Sequence, residues 1–306
     1  MAKEQWGICA EANLHGLHLF FNAHEGYEPV IREALSQLPS IFEELNEQFS
    51  EAMFSGVVGI GANFWSELYP DYTPEGLTSF KGINHEDRYM PAVPIDLFIQ
   101  LRSDRQDVNY IASRRITALF GETIELIEQV PCFRYLDGRD LTGFVDGTEN
   151  PKGRKRREVA LLQDGLFAGG SFVHIQRYRH HLNRWERVPT EEQELIIGRT
   201  KMDDVELSKE EMPDFSHVHH ADVKDEDGNG LKIMRQSMPY GNLNEQGLLF
   251  ISYSANQHHF ETILNNMVYG KDEGSYDHLL NYTSAETGAA FFAPSVDFLL
   301  NQGVIS

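Results

Sequence analysis

Asp146 stands at the centre of the stretch whose residue types are best suited to chemistry. Residues 143–151 read Gly-Phe-Val-Asp-Gly-Thr-Glu-Asn-Pro. The two glycines permit backbone conformations that a Cβ forbids, or let another group approach closely, and Asn150-Pro151 indicates a turn. The pattern predicts a carboxylate held on a short, tight segment. A plain Gly-Asp surface turn between two strands is the competing interpretation.

Histidines are the next candidates. The chain has 13, and several are clustered, at 180–181, 217–220 and 258–259. Clustered imidazoles suggest zinc, but no cysteine or carboxylate joins them at ligand spacing, so most are expected at the surface. On a strand, His217 and His219 would share one face. The residues alone single out no histidine as a metal ligand.

An arginine interrupts an apolar pattern further along the chain. If residues 231–238 form a strand, Arg235 shares a face with Leu231, Ile233 and Ser237 and points inward. A buried guanidinium needs an anion or other acceptors, because its burial is otherwise very costly. Pairing with a core carboxylate would satisfy this need as well as a functional site would.

The elements that must position these residues alternate between strands and helices. The patterns predict strands at 14–23, 53–60, 96–102, 122–133, 171–178, 231–238 and 248–254, and helices at 29–49, 108–120, 191–197 and 258–268. Residues 97–121 and 249–270 each run from an apolar strand through a helix to a glycine, which is a weak internal repeat. Two βαβ-type halves of an α+β fold would account for it. A Rossmann-type sheet would fit the alternation too, but the chain has no Gly-x-Gly-x-x-Gly fingerprint.

Composition narrows the class of protein. The 306 residues are 41% hydrophobic and carry a net charge of −21, with two cysteines. The acidic balance argues against nucleic acid and against an anionic membrane surface as partners. No run approaches the ~18 apolar residues that a membrane span needs. We expect a cytoplasmic protein with reduced thiols. The basic run at 152–157 is expected to be a solvated loop, with an anion or propionate contact as the alternative.

The motif at 143–151 resembles the Gly-x-x-Asp-Gly signature of the dye-decolorizing peroxidases, a family of haem enzymes, and its full form resembles the bacterial B-type members. The resemblance implies two ferredoxin-like halves, antiparallel sheets with packed helices, at residues 1–137 and 138–306. Haem would be lodged mainly in the C-terminal half.

The same resemblance implies roles for individual residues. Residues 215–218, Phe-Ser-His-Val, match the context of the proximal ligand, which makes His217 the expected iron ligand. Asp277 would accept a hydrogen bond from His217, with a helix N-cap as its alternative role. Arg235 and Ser237 match the distal pair, although B-type relatives often have asparagine at the second position.

The resemblance adds two further expectations about the cavity. Phe250 would line the distal pocket, with core packing as the alternative, and Glu149 would lie beside the haem. Asp146 would move the peroxide proton, and Arg235 would stabilise the developing charge. An aspartate beside Arg235 is expected to keep a low pKa.

The function implied is a haem peroxidase. One haem b (iron protoporphyrin IX) per chain would use hydrogen peroxide to oxidise dyes, phenols or other small organic reductants through a high-valent iron–oxo species. A cytoplasmic protein that binds haem for handling or iron release is the alternative. The chain is expected to form homo-oligomers. Its C-terminal tail resembles no nanocompartment-targeting extension.

Overall fold

The computed structural model describes residues 2–271 and 274–301. The N-terminal half contains the following elements: β1 (His15–Ala23), α1 (Glu28–Gln48), β2 (Ser55–Gly61), α2 (Trp65–Leu68), β3 (Ile83–His85), β4 (Arg88–Met90), β5 (Leu97–Ser103), α3 (Gln106–Phe120) and β6 (Ile124–Phe133). Four of its strands form an antiparallel sheet in the order β2-β5-β1-β6. This is the order of a ferredoxin-like unit. β3 and β4 form a separate hairpin.

The C-terminal half repeats this plan around the candidate site. Its elements are α4 (Lys155–Ala160), β7 (Ser171–His180), α5 (Leu182–Trp185), α6 (Thr190–Ile197), α7 (His217–Ala221), β8 (Met234–Arg235), β9 (Met238–Gly241), β10 (Gln246–Ser254), α8 (His258–Tyr269), β11 (Thr283–Ala285), β12 (Ala289–Ala293) and α9 (Val296–Leu300). The sheet order is β9-β10-β7-β12. The internal repeat therefore corresponds to β5–α3 in one half and β10–α8 in the other.

The two sheets join edge to edge into a closed ring. β6 pairs with β9 where Cys132 lies opposite Tyr240, and β12 pairs with β2 through Phe291 and Phe292. Because β7 also pairs with β10, the sheet closes on itself. The expected α+β fold with two ferredoxin-like halves is confirmed.

Side-chain alternation along the strands explains why the ring has two cores. On β1, Leu19 and Phe21 pack outward against α1 and α3, whereas Phe20 points into the ring. The inward cluster includes Phe98 and Phe291, both fully buried. Both faces of each sheet therefore bury apolar side chains. Separation of the two halves would expose the inward cluster to water, which is unfavourable.

The structure corrects the strand expected at residues 231–238. It is broken into β8 and β9, because Gln236 between them turns its amide into the ring and donates to the carbonyls of Ile8 and Ala10, each at 3.0 Å. His217 is likewise not on a strand. It begins α7, whose N-cap is Ser216, with the hydroxyl accepting from the His219 N–H at 3.3 Å.

Two expectations about exposed polar residues hold only in part. Of the seven clustered histidines, His180 and His220 are buried, His258 is exposed, and the other four are partly buried. The basic run is exposed over most of its length, as expected, but its second part is helical and not a loop. It leads into α4, where Arg156 and Arg157 form ion pairs with Glu11 and Glu4.

The C-terminal segment packs onto the body as expected up to Leu299, which is fully buried. The end of the tail, residues 302–306, lies outside the described residues. Across the ranges that the structure describes, no helix is long and apolar enough to cross a membrane.

Candidate active site

A cavity of about 440 Å³ lies in the C-terminal half, beside β7 and β10 and the helices α7 and α8. Apolar side chains from β10 and α8 form much of its wall, among them Phe250, Phe260 and Ile263. Asp146, His217 and Arg235 also line it. The structure therefore brings together three residues that lie far apart in the sequence and that the motifs had singled out.

His217 is oriented by a buried carboxylate. Its Nδ1 lies 2.7 Å from Oδ2 of Asp277, whose side chain is fully buried. In the described part of the chain, Nε2 of His217 has no hydrogen-bond partner. Burial lowers the pKa of His217, but the charge and hydrogen bond of Asp277 outweigh burial and leave that pKa raised. A ring fixed in this way through Nδ1 offers Nε2 to a metal.

Asp277 fills both of the roles that the sequence had left open. While Oδ2 faces His217, Oδ1 accepts a hydrogen bond from the Leu279 N–H at 2.9 Å and caps the 3₁₀ helix His278–Asn281. The cap places the carboxylate, since it fixes the backbone on which Asp277 is carried. Here a capping residue and an imidazole partner are one side chain.

Asp146 lies on a loop that the glycines shape. Gly143 and Gly147 have φ of +91° and +75°, a region that favours glycine. The Asp146 N–H donates to the Gly138 carbonyl at 3.2 Å. Arg139 braces the same loop by donating to the Gly143 carbonyl at 3.0 Å. The expected tight segment is therefore present.

Asn150 links this loop to the strand that carries Arg235. Its Oδ1 accepts from the Arg235 N–H and its Nδ2 donates to the Arg235 carbonyl, both at 2.8 Å. The sequence had indicated only a turn at Asn150. The amide type was the available signal, because Asn carries both a donor and an acceptor and can satisfy both backbone groups of one residue on a partner strand.

Arg235 and Asp146 face each other at 3.9 Å between Nη1 and Oδ1. Their side chains are 24% and 23% exposed. The expected low pKa of Asp146 was wrong. Burial raises the pKa of Asp146, Arg235 opposes this rise, and the negative charge of Asp140 adds to it. The effect of burial on the pKa of Asp146 is therefore larger than the opposing effect of Arg235.

The remaining predicted residues differ in their relation to the cavity. Phe250 lines the cavity and contacts Phe260, with ring centroids 5.3 Å apart. Glu149 also lines it, with its carboxylate 3.9 Å from Arg199. Ser237 is not among the described lining residues. Its hydroxyl accepts a hydrogen bond from the Ile251 N–H at 3.3 Å.

A protein-only metal site has no support in the structure. Within residues 2–271 and 274–301, no three His, Cys, Asp or Glu side chains are grouped to hold a metal ion. A lone imidazole beside a broad apolar wall instead fits a planar metal complex that supplies its other ligands itself.

Comparisons with known proteins identify the family of this chain. Two family models, described as Dyp-type peroxidase, N-terminal and C-terminal, match residues 5–134 and 137–298. A dye-decolorizing peroxidase from Mycolicibacterium paratuberculosis is 35% identical over 296 residues, which cover 95% of this chain and 84% of the relative.

Solved structures agree with the family models. A structure of a Dyp-type peroxidase from Shewanella oneidensis has a TM-score of 0.96 at 48% identity, covering 98% of this chain and 99% of that one. A DypB variant from Rhodococcus jostii RHA1, solved in complex with heme, has a TM-score of 0.92 at 33% identity, covering 96% and 97%. The enzyme class common to these relatives is peroxidase. The chain belongs to the Dyp-type peroxidase family, as the motifs predicted.

Proposed function

We propose that His217 and the cavity beside it hold one haem b per chain, and that Asp146 and Arg235 act on peroxide above it. The observation that carries the proposal is the carboxylate–imidazole pair of Asp277 and His217, which leaves Nε2 free toward the cavity. Phe250 and the apolar wall would pack against the porphyrin, and Glu149 lies near its expected edge. The heme complex of the Rhodococcus relative supports this assignment.

Haem, when bound, supplies the redox chemistry, and the protein supplies a ligand, orientation and electrostatics. Asp277 holds His217 in one ring orientation and increases its basicity as a ligand. The apolar side chains of α8 and β10 exclude water from the ligand side chain. None of these tasks requires Asp146 or Arg235, so the two distal residues point to catalysis rather than to binding alone.

Asp146 in its ionised form accepts the proton of one peroxide oxygen and returns it to the other, which leaves as water. Arg235 stabilises the negative charge that develops as the O–O bond breaks. The distance of 3.9 Å between the two side chains leaves them unpaired by a direct hydrogen bond, so both can turn toward a bound peroxide. Ser237 would contribute through β8 and β9 and not by contact with peroxide, since it is not among the described residues that line the cavity.

The test is addition of one equivalent of hydrogen peroxide to the haem-loaded chain, followed by a reducing dye. We expect a prompt change in the visible spectrum that the dye reverses as it is bleached. In Asp146→Asn and Arg235→Leu the first change should be slow, while the resting spectrum stays that of a histidine-ligated haem. Prompt reaction in both variants would remove these residues from the mechanism.

A haem-handling role remains the second candidate. Deferrochelatases from Escherichia coli match the chain at 26% identity, but the match covers only 40% of the chain and 35% of the relative. Under that role the protein would take up haem, leave peroxide unused, and release iron or porphyrin. The spectrum in the experiment above separates the two outcomes. We further infer that the protein has no nucleic-acid partner, on the basis of the net charge of −21. A cytoplasmic homo-oligomer that takes its electrons from small organic molecules stays a proposal from the family resemblance.

A further inference from the structure

β8, the two-residue strand that ends at Arg235, is paired on one edge only in the part of the chain that the structure describes. Arg235 lies opposite Ser252 of β10. The next residue, Gln236, donates its N–H to the Ile251 carbonyl of β10 at 2.8 Å. Because successive residues of an antiparallel strand point their backbone groups to opposite sides, the N–H and C=O of Arg235 face away from β10. An unpaired strand edge leaves such groups without partners, so the backbone that carries the distal guanidinium needs support from outside the sheet.

Asn150 supplies this support in place of a strand. Its Oδ1 accepts from the Arg235 N–H and its Nδ2 donates to the Arg235 carbonyl, both at 2.8 Å. The opposite orientation of the amide would set donor against donor and acceptor against acceptor, so the two contacts leave one orientation. The amide thus makes the pair of hydrogen bonds that a neighbouring strand would make.

The same residue closes the loop that carries Asp146. The Asn150 N–H donates to the Gly147 carbonyl at 2.9 Å, which forms the turn directly after Asp146. Gly147 has a φ of +75°, and a Cβ there would lie only 3.1 Å from Nδ2 of Asn150. The amide therefore packs against the residue that follows Asp146 while it binds the backbone of Arg235. One side chain joins the two segments that carry the distal pair.

We propose that Asn150 positions Arg235 against Asp146, and that its amide sets the separation at which both side chains reach one bound peroxide. This inference rests on the proposed peroxidase function and adds a residue to it. Asn150 is not among the described residues that line the cavity. It is a positioning residue that acts through Arg235. The separation that it sets is the 3.9 Å between Nη1 of Arg235 and Oδ1 of Asp146.

Loss of the amide should resemble a partial loss of Arg235. Burial is the largest influence on the pKa of Asp146 and raises it. The polar groups that also act on that pKa belong to Arg235, Asp140, Gly147 and His217. Asn150 contacts Arg235 and Gly147, which both lower the pKa of Asp146. When Arg235 is no longer held, its lowering effect weakens and that pKa rises further, so the acid limit of the peroxide step should move to higher pH.

The first measurement is amide hydrogen exchange in the haem-free full chain, which does not depend on peroxide. Asn150→Ala removes both contacts with Arg235. We expect the Arg235 amide to exchange about tenfold faster relative to the Gln236 amide, which keeps its partner on β10. Asn13→Ala is the matched control, because the buried Asn13 amide also donates to a backbone carbonyl, that of Met53 at 3.1 Å. The control should leave the ratio of the two exchange rates unchanged, and an unchanged ratio in Asn150→Ala would refute the positioning role.

The second measurement is the rate constant of the peroxide step in the haem-loaded chain, taken over a pH series. We expect Asn150→Ala to lower it by about 10- to 100-fold, because a misplaced group loses much of its effect. The acid limit should move in the direction expected for Arg235→Leu. Asn150→Ser, whose hydroxyl can keep one of the two contacts, should give an intermediate result and is the second variant should Asn150→Ala not fold. Asn13→Ala should keep the acid limit of the wild type.

Combination of the two changes tests whether Asn150 acts through Arg235. A double variant with Asn150→Ala and Arg235→Leu should react at the rate of Arg235→Leu and share its acid limit, because a positioning residue has no effect once its target side chain is gone. Additive losses would overturn the proposal, as would an unchanged rate and acid limit in Asn150→Ala. A wild-type chain that does not react with peroxide would instead refute the peroxidase function, and the exchange ratio would still decide whether Asn150 holds Arg235.

Discussion

Oδ2 of Asp277 lies 2.7 Å from Nδ1 of His217, although 60 residues separate them in the chain. Two short capped segments create this contact. Ser216 caps α7, which begins at His217, and Asp277 caps the 3₁₀ helix that follows it. The His278 N–H also donates to the Phe215 carbonyl at 3.1 Å, which joins the two segments directly beside the pair.

Asp277 permits an experiment that separates its two roles. Asparagine keeps a capping oxygen but loses the charge, while alanine loses both. We expect Asp277→Asn to reduce haem affinity or activity by about 10- to 100-fold with little change in the free energy of unfolding. Asp277→Ala should show the same loss and also unfold at lower denaturant. Equal activity in Asp277→Asn and the wild type would show that the carboxylate charge is dispensable.

Removal of the Asp146 carboxylate should slow the peroxide step. We expect Asp146→Asn to lower its rate constant by about 10²- to 10⁴-fold, the usual contribution of a positioned acid–base group. Stopped-flow absorbance of the haem-loaded chain measures it. Asp164→Asn is the matched control, because Asp164 is exposed and is not among the residues that line the cavity. A loss of similar size in the control would point to a general effect on folding.

The raised pKa of Asp146 predicts the acid limit of activity. Asp146 accepts a proton only when ionised, so the rate of the peroxide step should fall as the pH drops through that raised pKa. The apparent midpoint should therefore lie above the ordinary aspartate value of about 3.9. A pH series of the peroxide rate constant measures it. A midpoint at or below the ordinary value would mean that Arg235 dominates over burial.

Replacement of Arg235 should affect both rate and pH dependence. Arg235→Leu removes charge stabilisation, and we expect a loss of about 10²- to 10³-fold in the peroxide step. Arg235 lowers the pKa of Asp146, so its removal should also move the acid limit to higher pH. Arg235→Lys keeps the charge and should leave the acid limit nearly in place, although its rate should still fall because the planar donor fork is lost. An acid limit that is the same in all three proteins would contradict the coupling.

The inward core of the ring should contribute strongly to stability. Phe291 is fully buried and packs on Phe98, with ring centroids 5.6 Å apart. We expect Phe291→Ala to lower the free energy of unfolding by about 3–5 kcal/mol, because it leaves a cavity that the rigid ring cannot fill. Urea unfolding measures it. Leu243→Ala at the fully exposed tip of the β9–β10 hairpin should change the same quantity by less than about 0.5 kcal/mol.

Periodicity predicted most of the fold because strands and helices with one apolar face depend on local sequence. The prediction failed where polar contacts with residues distant in sequence determine the backbone conformation. Residues 231–238 look like one strand, yet the Gln236 amide bonds to carbonyls of Ile8 and Ala10 on the other half. No local pattern encodes those partners.

The site could be predicted only in part, and for a similar reason. The motif resemblance indicated Asp146, His217 and Arg235, which line one cavity. The pKa of Asp146 depends on burial and on Asp140 as well as on Arg235, and a sequence shows the residue types without their distances or exposure. His180 was missed because a buried imidazole with two hydrogen-bond partners looks no different in sequence from a solvated one.

Closure of the sheet has a consequence for how the enzyme loses its activity. Each half supplies the edge strand that covers the other, through β6 with β9 and β12 with β2. Separation of the halves would uncover four strand edges and the whole inward cluster at once, so unfolding should be a single concerted event. Thermal inactivation should then follow the loss of the N-terminal sheet as closely as the loss of the cavity, although none of the described residues before Asp140 lines the cavity. A change that unfolds the N-terminal sheet should therefore abolish activity as completely as the loss of His217.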